Sequence, residues 1–387
     1  MLRLADILER HGSGYLKRYG PRVPTGHVRA MRAITRCRTG ALGGHLAQCT
    51  ECGRKHLLYH SCRHRACPRC GHELTERWLT RQRDLLLPVP YFHVVFTLPS
   101  ELRRFVRSHQ RELISVLFRA AFDSLTALCA DPKFLGGRVG ALAVLHTWAR
   151  SLEWHPHLHL LVPAGALGPD GRTWLKSPAY RKRFLVPVRA LADHFRGRFL
   201  HLARLAVSSA EFPTIPWNKR WVVFAKPVMS PTTVLDYLGR YVHRTALSDK
   251  AILAGDHAIT FAYRDSRDHQ RKSMTLDPHE FLRRFLQHVP LKGLHRVRAF
   301  GLLHSTQRST LRQLQRLLAT PSSAQPTQLS PPERLRRCPH CYSPNVRYLR
   351  HLTAHECAST SLVPIDLPPH RARAPPSRSS SQGQVAA

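Results

Sequence analysis

The sequence has few acidic residues: of its 387 residues only 24 are Asp or Glu, against 60 Lys and Arg, and the formal net charge is +36. No cluster of acids stands out, which disfavours an enzyme that holds its catalytic metals with three carboxylates. The basic residues run through the whole chain, and 43% of the residues are hydrophobic. A folded chain with this charge is typical of a protein that binds nucleic acid.

Long apolar runs are also missing, since no stretch reaches the roughly 18–20 residues that a membrane span needs. The N-terminal residues 1–8 resemble an amphipathic helix and lack the features of a signal peptide. We therefore expect a cytoplasmic protein without membrane contact, in which clustered cysteines bind metal rather than form disulfides. Without a Walker-type phosphate loop in the chain, ATP-driven strand separation would need a separate host helicase.

The hydrophobic pattern predicts an α+β protein with a largely antiparallel sheet. Helices are expected in residues 1–36, 100–130, 188–206 and 278–289, with a break at Gly20-Pro21. Strands are expected at 91–98, 140–148, 157–163, 221–225 and 297–300, with hairpins at 140–163 and 251–263. We predict a helical and zinc-binding domain at 1–89, a main domain at 90–317, a linker at 318–363 and a disordered basic tail at 364–387.

Two Cys-x2-Cys pairs predict a structural zinc site in the first domain. Cys49 and Cys52 are separated by 14 residues from Cys67 and Cys70, and this spacing favours one tetrahedral zinc held by all four thiolates. The pairs contain no carboxylate and leave no open position, so the site is expected to be structural.

Further cysteines and histidines lie near these pairs. Candidates for a second zinc site are Cys37, His45, Cys62 and His64, although the two cysteines could equally be packed thiols. Cys338 and Cys341 form half of another knuckle, with Cys357, His351 and His355 as candidate partners. Arg63, Arg65 and Arg69 are predicted to contact phosphates, the alternative being an ordinary solvated basic face.

A second metal site is predicted from His155, His157 and His159. Residues two apart on a strand point to the same face, and imidazoles on an otherwise apolar strand need a metal or a hydrogen-bond partner. His157 and His159 are the predicted ligands, and the third ligand is left open between His155, His146 and Glu153. The expected ion is Mg²⁺ or Mn²⁺, bound through substrate oxygens as well.

Tyr237 and Tyr241 are four residues apart on a predicted helix and so share one face. They are either amphipathic residues at the edge of the core or nucleophiles that attack a phosphodiester beside the metal. Arg240 and Arg244 lie on the same helix, and their charges would favour the phenolate and contact DNA.

Together these motifs resemble the two-tyrosine HUH transposases of rolling-circle insertion sequences, the insertion sequence 91 type. HUH denotes two histidines around a bulky hydrophobe, here His157-Leu158-His159. The resemblance covers roughly residues 10 to 315 and departs from the family at Ala66, where relatives have histidine, and near Arg150, where they have glutamine. The matching stretches are 93–99, 62–70, 145–163, 237–244 and 261–265.

The resemblance implies an HUH endonuclease-like antiparallel sheet flanked by helices, preceded by a small helical and zinc-binding domain. It further implies a DNA strand transferase in which Tyr237 and Tyr241 form 5′-phosphotyrosine links with single-stranded element ends and target. Mg²⁺ or Mn²⁺ would serve catalysis, and Zn²⁺ would be structural. The alternatives are an HUH replication initiator or relaxase, an inactive zinc-containing DNA-binding protein, and a transposase with a carboxylate triad.

Overall fold

The computed structural model describes residues 2–149, 151–177, 185–207, 212–216, 218–228, 245–265, 268, 270–319, 338–360 and 362. The predicted nucleophile helix, with Tyr237, Arg240, Tyr241 and Arg244, lies outside the described residues. The described residues fall into two compact units. One lies within Met1–Cys37 and Ser61–Glu333, and the other within Arg38–His60 and Arg334–Ala387.

Helices and strands alternate along most of the described chain. The α-helices are α1 Leu4–Tyr19, α2 Thr25–Thr35, α3 Gly71–Arg83, α4 Ser100–Ser108, α5 Gln110–Ala130, α6 Val188–Ala206, α7 Pro278–Leu286, α8 Arg308–Leu318 and α9 Ala354–Ala358. The strands are β1 Gly44–Cys49, β2 Lys55–Tyr59, β3 Tyr91–Thr97, β4 Gly140–Trp148, β5 Trp154–Pro163, β6 Gly165–Leu167, β7 Trp174–Lys176, β8 Val222–Val228, β9 Ile252–Gly255, β10 Ile259–Arg264, β11 Arg271–Leu276, β12 Val297–Gly301 and β13 Val346–Leu352.

The first unit is built on a five-stranded antiparallel sheet in the order β12-β4-β5-β3-β8. Apolar residues on one face, such as Phe96 and Leu158, pack into a core with α4, α5 and α6. Helix α5 is long and apolar enough to cross a membrane, but 61% of its most apolar window is buried in the protein, as expected of a core helix. The predicted α+β fold is confirmed.

A second core in the same unit joins the N-terminal helices to the segment between β8 and β12. Ile7 of α1, Phe261 of β10 and Phe281 of α7 are fully buried in it, and β9, β10 and β11 form an antiparallel sheet. Helices α1 and α2 therefore share a unit with the main domain, and the predicted boundary at residue 89 does not separate them.

The second unit joins two segments that are far apart in the sequence. Strand β1 pairs with β2 on one side and with β13 on the other, both antiparallel, and Gly44 lies opposite both Tyr59 and Leu352. Leu57, Leu352 and Cys357 form its small core. The segment predicted as a linker thus contributes a strand, and the strand predicted to be the last, here β12, is followed by β13.

His288 makes the stability of the first unit depend on pH. It is buried after α7, with its Nε2 3.1 Å from the Leu152 carbonyl and its Nδ1 3.3 Å from the Thr147 hydroxyl. Burial lowers its pKa to about 3, so the folded state keeps this ring neutral. An unfolded histidine has a pKa of about 6.5, so stability is complete above that pH and is lost as the pH falls towards 3.

We expect His288→Gln, which keeps one donor and one acceptor, to reduce this pH dependence. Between pH 6.5 and 5 the wild type should lose about 2 kcal/mol more stability than the variant. Urea unfolding of both proteins at the two pH values measures this difference. Equal losses would mean that His288 titrates normally in the folded state.

Candidate functional site

The face of the large sheet opposite α5 and α6 carries the predicted histidine site at its centre. Side chains alternate along β5, so Trp154, Leu158 and Leu160 enter the helix-covered core while His157 and His159 lie on the other face. His146 of β4 lies directly opposite His157 in the register. Three ring-bearing residues are thereby placed together by two adjacent strands.

His146, His157 and His159 lie close together. One ring nitrogen from each lies within 4.8 Å of one ring nitrogen from each of the others. Ring centroids are 4.5 Å apart for His146 and His159, and 5.0 Å apart for His157 and His159. Three imidazoles on one face could serve as a facial set of nitrogen ligands and would leave coordination positions for substrate oxygens and water. Of the three candidates for third ligand, the structure brings His146 to the pair.

The other two candidates are placed differently. His155 is on the same face, with its ring centroid 5.4 Å from that of His157, but it is not one of the three grouped residues. Its backbone carbonyl lies 2.8 Å from Nδ1 of His157 and accepts a hydrogen bond from it. Glu153 is exposed in the turn before β5, where its carbonyl accepts from the Ala149 amide.

His93 of β3 is a residue that the sequence reasoning did not assign to the site. Its Nε2 is 2.8 Å from Nδ1 of His159, and the two rings are stacked with 7° between their planes. Such a contact to the second ring nitrogen fixes the orientation and tautomer of a metal-binding histidine. The hydrogen bond from His157 to the His155 carbonyl does the same for the other ligand. Both contacts involve Nδ1, so Nε2 is the ring nitrogen of His157 and of His159 that could bind a metal ion.

Burial keeps His93, His157 and His159 uncharged. It lowers the pKa of His157 to about 4 and of His93 to about 3, and it lowers the pKa of His159 further still. Neighbouring positive charges add to the effect, including Arg103 for His157. Neutral imidazole is the form that binds metal, so His157 and His159 could bind a metal ion at neutral pH without first losing protons.

A set of four cysteines lies beside the N-terminal helices of the first unit. Cys37, Cys62, Cys67 and Cys70 have sulfurs within 4.8 Å of one another, and the Sγ of Cys70 is 3.6 Å from that of Cys37 and 3.7 Å from that of Cys62. A tetrahedron with Zn–S bonds of about 2.3 Å has sulfur–sulfur edges of about 3.8 Å. The cluster therefore has the dimensions of a four-thiolate zinc site.

The second unit holds a set with the same chemistry, made of Cys49, Cys52, Cys338 and Cys341. The Sγ of Cys49 is 3.5 Å from that of Cys341, and the Sγ of Cys52 is 3.6 Å from that of Cys338. His56 lies 3.3 Å from the Cys338 sulfur, where its N–H can donate to a thiolate as an outer partner.

The two knuckles of this second set have the same backbone form. The amide of Gly53 donates to the Cys49 carbonyl at 3.0 Å, and the amide of Tyr342 donates to the Cys338 carbonyl at 2.9 Å. Both residues directly follow the second cysteine and are left-handed, with φ of +69° for Gly53 and +58° for Tyr342. A non-glycine residue in this region is uncommon, and here the repeated turn aims both cysteine pairs at one point.

The predicted ligand sets are thus corrected. Cys49, Cys52, Cys67 and Cys70 do not share one site, because each Cys-x2-Cys pair closes with cysteines from another part of its own unit. Cys37 and Cys62 are grouped with Cys67 and Cys70, so they are not isolated packed thiols. His45 and His64 are not part of this group. His45 instead contacts the rings of His60 and His351, and the His64 Nδ1 accepts from the Ala66 amide at 3.2 Å.

The arginines near the first set differ in their surroundings. Arg65 donates to the carbonyls of Leu291 and Leu294 at 3.2 and 2.7 Å, and Arg69 donates to the Cys37 carbonyl at 3.0 Å. These two side chains therefore tie the cysteine segment to its own unit. Arg63 is exposed and is the one of the three that presents its charge to solvent.

Comparisons with known proteins fit this arrangement of sites. A family model described as "Transposase zinc-binding domain" matches residues 7–98, and one described as "Putative transposase" matches residues 140–310. The "Putative transposase y4qJ" of Sinorhizobium fredii is 38% identical over 372 residues, which cover 88% of this chain and 92% of the relative. The "Transposase for insertion sequence element IS801" of Pseudomonas savastanoi pv. phaseolicola is 32% identical over 294 residues, which cover 71% and 70%. No solved structure matches the chain.

Proposed function

The chain belongs to the insertion sequence 91 family of transposases, and from this premise we propose that it cuts and rejoins single DNA strands in rolling-circle transposition through a 5′-phosphotyrosine intermediate. The observation that carries the proposal is the cluster of His146, His157 and His159 on one face of the sheet. Transposition acts on DNA, and the net charge of +36 suits that substrate.

The three histidines fit a divalent ion such as Mg²⁺ or Mn²⁺, whose remaining positions would be filled by phosphate oxygens and water. A bound ion would polarise the scissile phosphate and stabilise the leaving oxygen. His93 holds the His159 ring in place, and the His155 carbonyl holds the His157 ring. These contacts fix the ligand nitrogens before substrate arrives, which limits the reorganisation needed during the reaction.

The proposed nucleophiles are Tyr237 and Tyr241. The phenol oxygen of one tyrosine attacks the phosphorus and loses its proton, the 3′-oxygen leaves, and the 5′-phosphate remains on the enzyme. The covalent bond conserves the energy of the phosphodiester, so a free 3′-hydroxyl can reverse the step at a new junction. Arg240 and Arg244 are proposed to favour the phenolate and hold the strand. A separate host helicase stays a prediction.

Two structural zinc ions are proposed, one for each set of four cysteines. The absence of carboxylates in both sets and their sulfur spacing suit Zn²⁺ with four thiolates. Such sites fold segments that are too poor in apolar residues to fold alone. Both zinc ions would hold DNA-binding surfaces in shape and would take no part in the chemistry.

A labelled single-stranded oligonucleotide that carries the end of the protein's own element tests strand transfer. With Mn²⁺ or Mg²⁺ we expect a covalent adduct that migrates with the protein on a denaturing gel. The Tyr237→Phe/Tyr241→Phe protein should form none, because phenylalanine has no hydroxyl to attack the phosphorus.

Other outcomes favour other functions. An undiminished adduct in the double variant would assign the nucleophile elsewhere. The wild type failing to react with its own element's ends would favour an inactive zinc-containing DNA-binding protein. Reaction with a plasmid or phage origin in place of those ends would favour a replication initiator or relaxase. Cleavage that survives His157→Ala/His159→Ala would favour a carboxylate-based enzyme.

A further inference from the structure

A basic groove of about 620 Å³ lies in the first unit, beside the strand that carries the metal-site histidines. It is lined by residues from α1 and α2, the segment that joins them, α4, the start of β5 and α7. Among the described residues that line it, none is Asp or Glu. Its arginines are Arg22, Arg103, Arg104, Arg107 and Arg283.

The acids around the groove offset only part of this charge. Glu280 binds Arg283 at 2.6 and 2.8 Å and also Arg284 at 2.7 Å. Glu101 pairs with Lys219, while Glu153 lies near enough to act on Arg103. Burial lowers the pKa of Arg107, and the positive charge of Arg283 lowers it further. Guanidiniums held together with partial loss of solvent favour a bound anion.

Two buried donors belong to residues that line this groove. The Nε of Arg103 and the indole Nε1 of Trp154 have no hydrogen-bond partner among the described residues. The guanidinium of Arg107 lies over the Trp154 ring, 5.9 Å from its centroid, in a cation–π contact. Buried donors left unpaired cost free energy, and a phosphate oxygen is an acceptor that suits both.

The position of the groove relates it to the metal site. Trp154 is the first residue of β5, the strand that also carries His157. The positive charge of Arg103 contributes to lowering the pKa of both His155 and His157. Tyr19 is a half-buried lining residue, and its ring is tilted by 43° against that of Tyr15, with the ring centroids 4.7 Å apart. A partly exposed aromatic ring beside a line of cations is the usual arrangement for a single strand, in which bases stack and phosphates bind.

We propose that this groove binds a segment of single-stranded DNA next to the scissile phosphate, with Arg103 and Arg107 on its phosphates and Tyr19 against a base. The proposal rests on the proposed strand-transfer function. A single strand is favoured over a duplex because the groove is concave, whereas duplex DNA is read by helices or strands that project into its own grooves. The N-terminal helices would therefore form one wall of the substrate channel.

The test is binding of a fluorescein-labelled single-stranded oligonucleotide by fluorescence anisotropy, in buffer without added divalent metal so that no cleavage occurs. Arg103→Gln/Arg107→Gln is expected to weaken binding roughly tenfold or more, since two charge-assisted contacts are lost. The slope of log K against log salt should fall by about 1.4, at about 0.7 for each phosphate contact to a single strand. Arg22→Gln/Arg104→Gln changes two exposed groove residues and should act in the same direction without disturbing folding.

Arg111→Gln/Arg119→Gln is the matched control, because it removes the same charge from exposed positions on α5 outside the groove. Binding by both groove variants that equals binding by this control would overturn the proposal. An equal loss of duplex binding would overturn the assignment to a single strand.

The adduct assay separates the two proposals. If the wild type forms the adduct and the groove variants bind the oligonucleotide as well as the control does, only the groove proposal is refuted. If the groove variants bind the oligonucleotide more weakly and the wild type forms no adduct, strand transfer is refuted and the groove remains a DNA-binding site.

Discussion

The full-length Cys338→Ser/Cys341→Ser variant is expected to bind one zinc ion per chain, whereas the wild type is expected to bind two. The two substituted residues supply half of the thiolates of the second unit's set, and serine does not replace a thiolate for Zn²⁺. The set in the first unit keeps Cys37, Cys62, Cys67 and Cys70. Metal analysis of protein purified in the presence of zinc measures the stoichiometry directly, and sulfur-only coordination should be seen by X-ray absorption.

The same variant should lose the structure of the second unit. Its core consists of little more than Leu57, Leu352 and Cys357, and a core of that size cannot offset the entropy of ordering the chain. Structural zinc supplies on the order of 10–16 kcal/mol in small zinc-binding peptides. Hydrogen exchange should therefore become rapid in β1, β2 and β13, while the large sheet of the first unit stays protected.

Cys357→Ser is the matched control for this experiment. Cys357 is buried in the same unit, four residues after the capping threonine Thr353 of α9, but it is not in the thiolate set. It should keep two zinc ions and slow exchange in β13. Two zinc ions retained by Cys338→Ser/Cys341→Ser would show that these cysteines are not ligands, and a wild type with one zinc ion would reject one of the two sites.

Local patterns in the sequence predicted the local parts of these sites well. The alternation along residues 157–163 predicted a strand with His157 and His159 on one face, and the structure contains that strand within β5. The break at Gly20-Pro21 separates α1 from α2. A single long helix over 100–130 was wrong in one respect, because His109 interrupts it between α4 and α5. Periodicity of apolar residues fixes such features, because it acts over a few turns or a single strand.

Partners that are distant in the sequence could not be predicted in the same way. The two Cys-x2-Cys pairs at 49–52 and 67–70 have the spacing of one zinc site, yet the first closes with Cys338 and Cys341 through the pairing of β1 with β13. Spacing reports only how far apart ligands are along the chain, whereas the sheet register decides which ligands meet. His93 was likewise missed because its contact with His159 depends on β3 lying beside β5.

His146→Ala is expected to abolish detectable binding of Mn²⁺ at the histidine cluster and, with it, formation of the DNA adduct. His146 is one of three grouped ligands, its ring centroid is 4.5 Å from that of His159, and it is buried. Removing a partner that only orients a ligand typically costs 10–100-fold in metal affinity, so removing a ligand should cost more. Isothermal titration with Mn²⁺, at zinc content equal to that of the wild type, measures the affinity.

A graded series makes this result specific to geometry. His93→Ala, which removes the hydrogen bond to His159, should weaken Mn²⁺ binding by about 10–100-fold. His155→Ala is the matched control: it removes an imidazole from the same strand and face but keeps the backbone carbonyl that orients His157. It should bind Mn²⁺ as the wild type does. If His155→Ala loses the metal and His146→Ala keeps it, the third ligand is His155, and the metal site is built along one strand instead of across two.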